Sequence, residues 1–181
     1  MRLPRRLRAP RQPPVDISFS PAAFSGYAIY VDGSFTRVED GTPSAGWGCY
    51  VVCPDDSCIS LCGPISIRGP HVPDQFVYKL SNNVAEVVAI YYAGQYICRL
   101  PVHSNCAIIF DCMYAAYTVR QSLRAKSNLA LVRHVGSMVH RVSGLVDLQW
   151  HWVRGHSRVE GNECADKLAK RGSAGERLSA A

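Results

Sequence analysis

Five residues in this 181-residue chain have types and surroundings suited to chemistry: Asp32, Glu86, Asp111, His156 and Asp166. Glu86 is the only charged residue between Lys79 and Arg99, inside a stretch whose apolar residues recur on every side of a helix. A carboxylate buried there is costly unless it is paired or bound to a cation. Asp111 is the only acid from Val87 to Val146, and it follows the apolar run Ala107 to Phe110. An isolated acid at the carboxyl end of a buried strand is where α/β sheets place their sites, although Asp111 could equally cap the helix after it. Asp32 ends another apolar strand in Asp32-Gly33-Ser34. His156 and Asp166 stand at the two ends of one strand-to-helix loop, and a histidine's near-neutral pKa suits proton transfer.

The elements that must position these residues follow from periodicity. Strands are expected over Tyr27 to Asp32, Trp47 to Val52, Ile59 to Leu61, Ala107 to Phe110 and Val146 to Trp152. The second and third form a hairpin through Pro54-Asp55-Asp56-Ser57. Helices are expected after Ser81, a residue suited to cap one, over Met113 to Val119, along Leu131 to Val142, and from Asn162 to Arg171 with Gly172 as the left-handed stop. Hairpins build an antiparallel part of the sheet and crossover helices a parallel part.

Four short motifs in order, Tyr30-Val-Asp32-Gly-Ser34, Ser81-Asn-Asn-Val-Ala-Glu86, Ile108-Ile-Phe-Asp111 and Gly155-His156 with Asn162-Glu-Cys-Ala-Asp166, resemble those of the type 1 ribonuclease H family. The resemblance runs from about Tyr27 to Gly172. It implies an α/β, ribonuclease H-like fold: a five-stranded mixed sheet, its first three strands antiparallel, with helices on both faces. It also implies an endoribonuclease that hydrolyses the RNA strand of RNA/DNA hybrids. Asp32, Glu86, Asp111 and Asp166 would be the catalytic metal ligands, holding two Mg²⁺ ions, with Mn²⁺ able to substitute. His156 would handle protons. Gly33, Ser34, Asn82, Asn83 and Asn162 would contact the substrate or support the site, with the 2′-OH distinguishing RNA. The alternatives are an inactive fold kept as a nucleic-acid-binding or scaffolding module, and the same fold acting on another nucleic acid.

No extra basic helix fits between Asp111 and Trp150, as in retroviral and some archaeal members, so Arg120, Arg124 and Lys126 are expected to supply part of the substrate grip. The chain is read as either a cellular enzyme or a domain of a larger retrotransposon polyprotein, in which a reverse transcriptase would supply the remainder, and the chain itself is expected to be monomeric.

Composition agrees with such a domain. Apolar content of 48% and charged content of 19% are globular values, and the net charge of +6 favours a polyanionic partner. No apolar run approaches the roughly 20 residues of a membrane span. Residues 1–22 read as a disordered Pro/Arg-rich arm, with Arg2, Arg5, Arg6, Arg8 and Arg11 and no acid before Asp16. A linker is preferred for it over a phosphate-gripping arm or an organelle transit peptide. Residues 23–172 are the expected ribonuclease H domain and 173–181 a flexible tail. Eight scattered cysteines point to a reducing, intracellular compartment, with cytoplasm, nucleus and mitochondrion left open. If Cys53 opposes Cys58 across the hairpin, Cys49 opposes Cys62, which would permit disulfides or a zinc site, but small buried hydrophobes are the preferred reading.

Overall fold

The computed structural model describes residues 24–179, so the N-terminal arm lies outside the described residues. Five strands, β1 (Tyr27–Arg37), β2 (Pro43–Val52), β3 (Cys58–Ile65), β4 (Asn105–Phe110) and β5 (Asp147–Trp152), form one sheet in the order β3-β2-β1-β4-β5. β1, β2 and β3 pair antiparallel, whereas β4 runs parallel to both β1 and β5. Four α-helices join them: α1 (Asn82–Ile97), α2 (Met113–Val119), α3 (Leu129–Val142) and α4 (Glu160–Ser173). The mixed sheet expected from the sequence is therefore present. Alternating side chains divide its core, with Ile29, Val31, Cys49 and Ile108 facing α1 to α3, and Ala28, Tyr30, Ala107 and Ile109 facing α4.

α1 begins as its sequence dictates, the Val84 N–H donating to Ser81 Oγ at 3.3 Å. Twelve of its residues are buried, matching an apolar pattern that leaves no wet face. α4 lies against the other face because glycines let it. A Cβ at Gly46 would stand 2.0 Å from the Ser173 nitrogen, and one at Gly48 2.4 Å from the Ala165 oxygen.

Several local expectations change. β1 runs past Asp32 to Arg37, because Gly33 marks a close helix approach rather than a strand end. The hairpin register is shifted by one, pairing Cys49 with Leu61 and Gly48 with Cys62. Its turn closes by Asp56 N–H to the Cys53 carbonyl at 3.0 Å, and Asp56, at φ 61°, adds the extra residue. Cys49 and Cys62 consequently face opposite sides of the sheet, and all eight cysteines are free. α4 continues through Gly172, which packs against Gly63 and Trp47, and the left-handed glycine is Gly175 at φ 97°.

The segment after α4, expected to be a flexible tail, turns back onto β3, where Leu178 and Cys62 exchange backbone hydrogen bonds of 2.9 and 3.1 Å. Arg120, expected at the surface as part of a substrate grip, is buried with its guanidinium 5.3 Å from the Trp150 ring centre. Arg124 and Lys126 remain exposed. His151 is also buried, with Nε2 3.2 Å from Gln149 Oε1.

Candidate active site

The sheet splits at one place. β1 and β4 pair from Tyr27–Cys106 to Tyr30–Ile109 and no further. Beyond that point β1 continues with β2, while Phe110 pairs with Trp152 of β5. Asp32 and Asp111 each lie two residues past the last pair, on either side of the notch. Glu86 enters from α1, and Asp166 stands on α4 across the opposite face.

Gly33 sets the approach of α1. A Cβ there would lie 2.2 Å from the Glu86 nitrogen, so only a glycine lets the first turns of α1 rest on β1. Its N–H donates to Asp32 Oδ1 at 2.7 Å, which fixes that carboxylate from below. Gly33 and Ser34 are both buried beside that carboxylate.

Asp32, Glu86 and Asp111 offer oxygens that all lie within 4.8 Å of one another. Burial raises the Asp32 carboxyl to about 7, with Asp111 and Asp166 adding to the shift. Burial also pushes Glu86 well above the usual carboxylate range, and Asp32 pushes it further. Asp111 moves up as well, for the same first reason, while the Asn162 hydrogen bond and the charge of His156 oppose that shift. Repulsion among three such groups is relieved by protonation or by a divalent cation, and hard oxygen donors suit the latter. The fourth carboxylate is turned aside, with Asp166 Oδ2 2.6 Å from Lys170 Nζ, one helical turn away. Its charge is still felt at Asp32 and Asp111.

Asn162, 3% exposed, donates from its amide nitrogen to Asp111 Oδ2 at 3.3 Å. Its own side-chain oxygen is buried with no partner among the described residues. His156 lies exposed in the loop before α4 at φ 54°, a conformation that non-glycine residues adopt mainly where the surroundings enforce it. Asn82 and Asn83 are exposed at the start of α1, with Asn83 Oδ1 3.9 Å from Cys112 Sγ. Asp111 does not cap α2, whose N-cap is Cys112 without a side-chain bond.

Three supports escaped the sequence reading. Trp152 Nε1 donates to the Asp111 carbonyl at 3.0 Å and so fastens the end of β4 to β5. Gly155 backs onto the carboxylate, since a Cβ there would meet Asp111 Oδ2 at 2.9 Å. Lys170 holds Asp166. Only the last was legible, from its spacing of four residues on a helix.

The family model described as RNase H matches residues 25–174. A curated relative, Ribonuclease H of Polynucleobacter asymbioticus, is 62% identical over 26 residues, spanning 14% of this chain and 17% of that relative's length. Among solved structures, RNase H1 from the halophilic archaeon Halobacterium salinarum superposes with a TM-score of 0.56 at 18% identity, over 81% of this chain and 96% of that one. The PFV RNase H domain gives 0.62 at 18% identity, over 82% and 94%. The foamy viral protease-reverse transcriptase in complex with RNA/DNA hybrid gives 0.64 at 17% identity, over 94% of this chain and 23% of that one. At such identities these structures speak for the fold.

Proposed function

The chain belongs to the RNase H family, and from that premise we propose that it is a metal-dependent endoribonuclease cutting the RNA strand of RNA/DNA hybrids. The observation that carries the reading is the convergence of Asp32, Glu86 and Asp111 within 4.8 Å at the notch between β1 and β4. These carboxylates fit a hard divalent cation: they are acid-only donors, crowded, and raised in pKa when no cation balances them.

Asp32, Glu86 and Asp111 would hold the cation, taken to be Mg²⁺ with Mn²⁺ as substitute, and Asp166 would complete the set on leaving Lys170. When bound, two such ions supply Lewis acidity for in-line phosphoryl displacement, activating a water and stabilising the leaving 3′ oxygen.

The chain's own residues do the rest. Asn162 and Gly155 fix the Asp111 carboxylate, and the Gly33 N–H fixes Asp32. His156, exposed beside the site, would hand protons to or from the reacting groups. Asn82 and Asn83 present amides at the exposed start of α1, where a hybrid's minor groove would pass. Arg124 and Lys126 offer exposed charge to phosphates. With Arg120 buried, the remaining grip falls to a partner, and the likeness to a reverse-transcriptase chain supports one of that kind. We take the isolated chain to be monomeric.

A hybrid labelled on each strand, incubated with the protein with and without Mg²⁺ or Mn²⁺ beside an Asp111→Asn control, tests the proposal. Metal-dependent cutting of the RNA strand alone, abolished by the substitution, is expected. Hybrid binding without cutting under any metal would replace the nuclease with a binding module.

A further inference from the structure

A second site lies at the other end of α1. Its last turns, the loop before it, β2, β3 and the returning C-terminal segment line a half-open cavity of about 320 Å³. Tyr92 and Tyr96 follow Glu86 by six and ten residues, about 9 and 15 Å along the helix axis, and none of Asp32, Glu86, Asp111 and Asp166 lines the cavity.

Its wall is aromatic. Trp47 and Tyr92 stack with ring centres 3.7 Å apart and planes 9° from parallel, and Tyr96 continues the surface. The Trp47 indole N–H is buried and has no acceptor among the described residues. Gly63, opposite Trp47 in β3, leaves that edge of the ring without a covering side chain, for a Cβ there would stand 3.0 Å from Nε1.

The rim is cationic. Arg99 and Arg177 line the cavity, both are exposed, and neither has a salt-bridge partner among the described residues. Glu176, the acid next to Arg177, is engaged by Arg171. His71 also lines the cavity, and the buried Asp74, whose Oδ2 accepts from the Ser66 N–H at 3.0 Å, feels the charges of both His71 and Arg177. Guanidinium groups with no carboxylate in direct contact favour phosphate, which they can grip with paired N–H donors. A bare anion would gain nothing from the aromatic wall, and a purely apolar ligand would strand the arginines. The volume stands at the lower end of small-ligand sites, too small for a duplex.

We propose that this cavity binds an aromatic phosphate of mononucleotide size, the base against Tyr92, Tyr96 and the N–H edge of Trp47 and the phosphate between Arg99 and Arg177. Such a ligand could be a free nucleotide or the phosphorylated end of a strand, which share this chemistry.

The test is a titration of the ¹⁵N-labelled protein in EDTA, following the indole N–H signals by NMR. The chain has three tryptophans, so the Trp47 signal is assigned by its loss in Trp47→Phe. Adenosine 5′-monophosphate should shift that signal saturably, whereas adenosine and inorganic phosphate should each bind at least tenfold more weakly. Arg99→Gln, and the double variant Arg99→Gln/Arg177→Gln, should weaken the nucleotide tenfold or more while keeping a folded spectrum. Asp111→Asn should bind as the parent does, which keeps this result independent of the nuclease proposal. A 5′-phosphorylated trinucleotide separates the sources: tighter binding than the mononucleotide assigns a strand end, and equal or weaker binding a free nucleotide. No saturable shift with either ligand, or an undiminished shift in the folded double variant, overturns the proposal.

Discussion

The amide nitrogen of Asn162 lies 3.3 Å from Asp111 Oδ2, and the two residues reach each other across the gap between α4 and the end of β4. That contact gives Asp111 a fixed orientation without giving it a counter-charge. Replacing Asn162 by Ala should leave folding nearly intact and reduce both activity and divalent-metal affinity by roughly 10- to 100-fold, the usual effect of losing a group that orients a ligand. Calorimetric titration with Mn²⁺ beside hybrid cleavage measures both. Unchanged metal affinity would remove Asn162 from this role.

Gly33→Ala should be among the most damaging small substitutions. Its methyl would need the space of the Glu86 and Ala85 backbone, so α1 must lift from β1. Overpacking of this kind costs about 2–3 kcal/mol, and it should also displace Glu86 from Asp32. Denaturant unfolding reads the first effect and metal titration the second; a stability loss under about 0.5 kcal/mol would show that the helix is not fixed by this contact.

The carboxylate cluster should make the metal-free protein less stable as pH rises. Asp32 titrates at about 7 in the fold against 3.8 as its ordinary value, because burial, then Asp111 and Asp166, disfavour its charge. Between those values the folded chain holds a proton that the unfolded chain has released, so this group's contribution falls from about pH 4 to about pH 7. In EDTA, Asp32→Asn should flatten that dependence and gain on the parent in Tm toward pH 8. Parallel Tm curves for the two proteins would refute the shift.

Arg120 should behave as a core residue. Arg120→Ala removes its stacking on Trp150 and its buried stem, a loss of about 2 kcal/mol, with hybrid affinity unchanged. Arg124→Ala, at an exposed position, should leave stability within about 0.5 kcal/mol and weaken hybrid binding with a shallower salt dependence. Fluorescence-detected binding at two salt concentrations, beside thermal melts, tells the two apart; loss of affinity in a fully stable Arg120→Ala protein would return Arg120 to the surface role.

What could be read in advance depended on whether a signal was local. The lone Glu86 in an apolar helix and the lone Asp111 after an apolar strand were visible because each contradicts its surroundings. Ser81 and the bounds of α2 followed from capping and spacing. The hairpin register was missed because a single left-handed Asp56 moves every pair by one, and aspartate gives no unique warning of that conformation. Arg120 was misplaced because its charge pointed outward, while the Trp150 ring that holds it is thirty residues away in sequence. Gly33 read as the end of a strand for a related reason, since the helix it admits is fifty residues downstream.

The return of Leu178 to β3 bears on solubility. β3 is an outer strand of the sheet, and outer strands carry unsatisfied N–H and C=O groups that can recruit a second chain. Leu178 takes both backbone groups of Cys62, midway along that edge, and interrupts the row a neighbouring molecule would need. The few residues after α4 thus act as a guard against edge-to-edge association, and the α4 terminus at Ser173 is not where the folded unit stops.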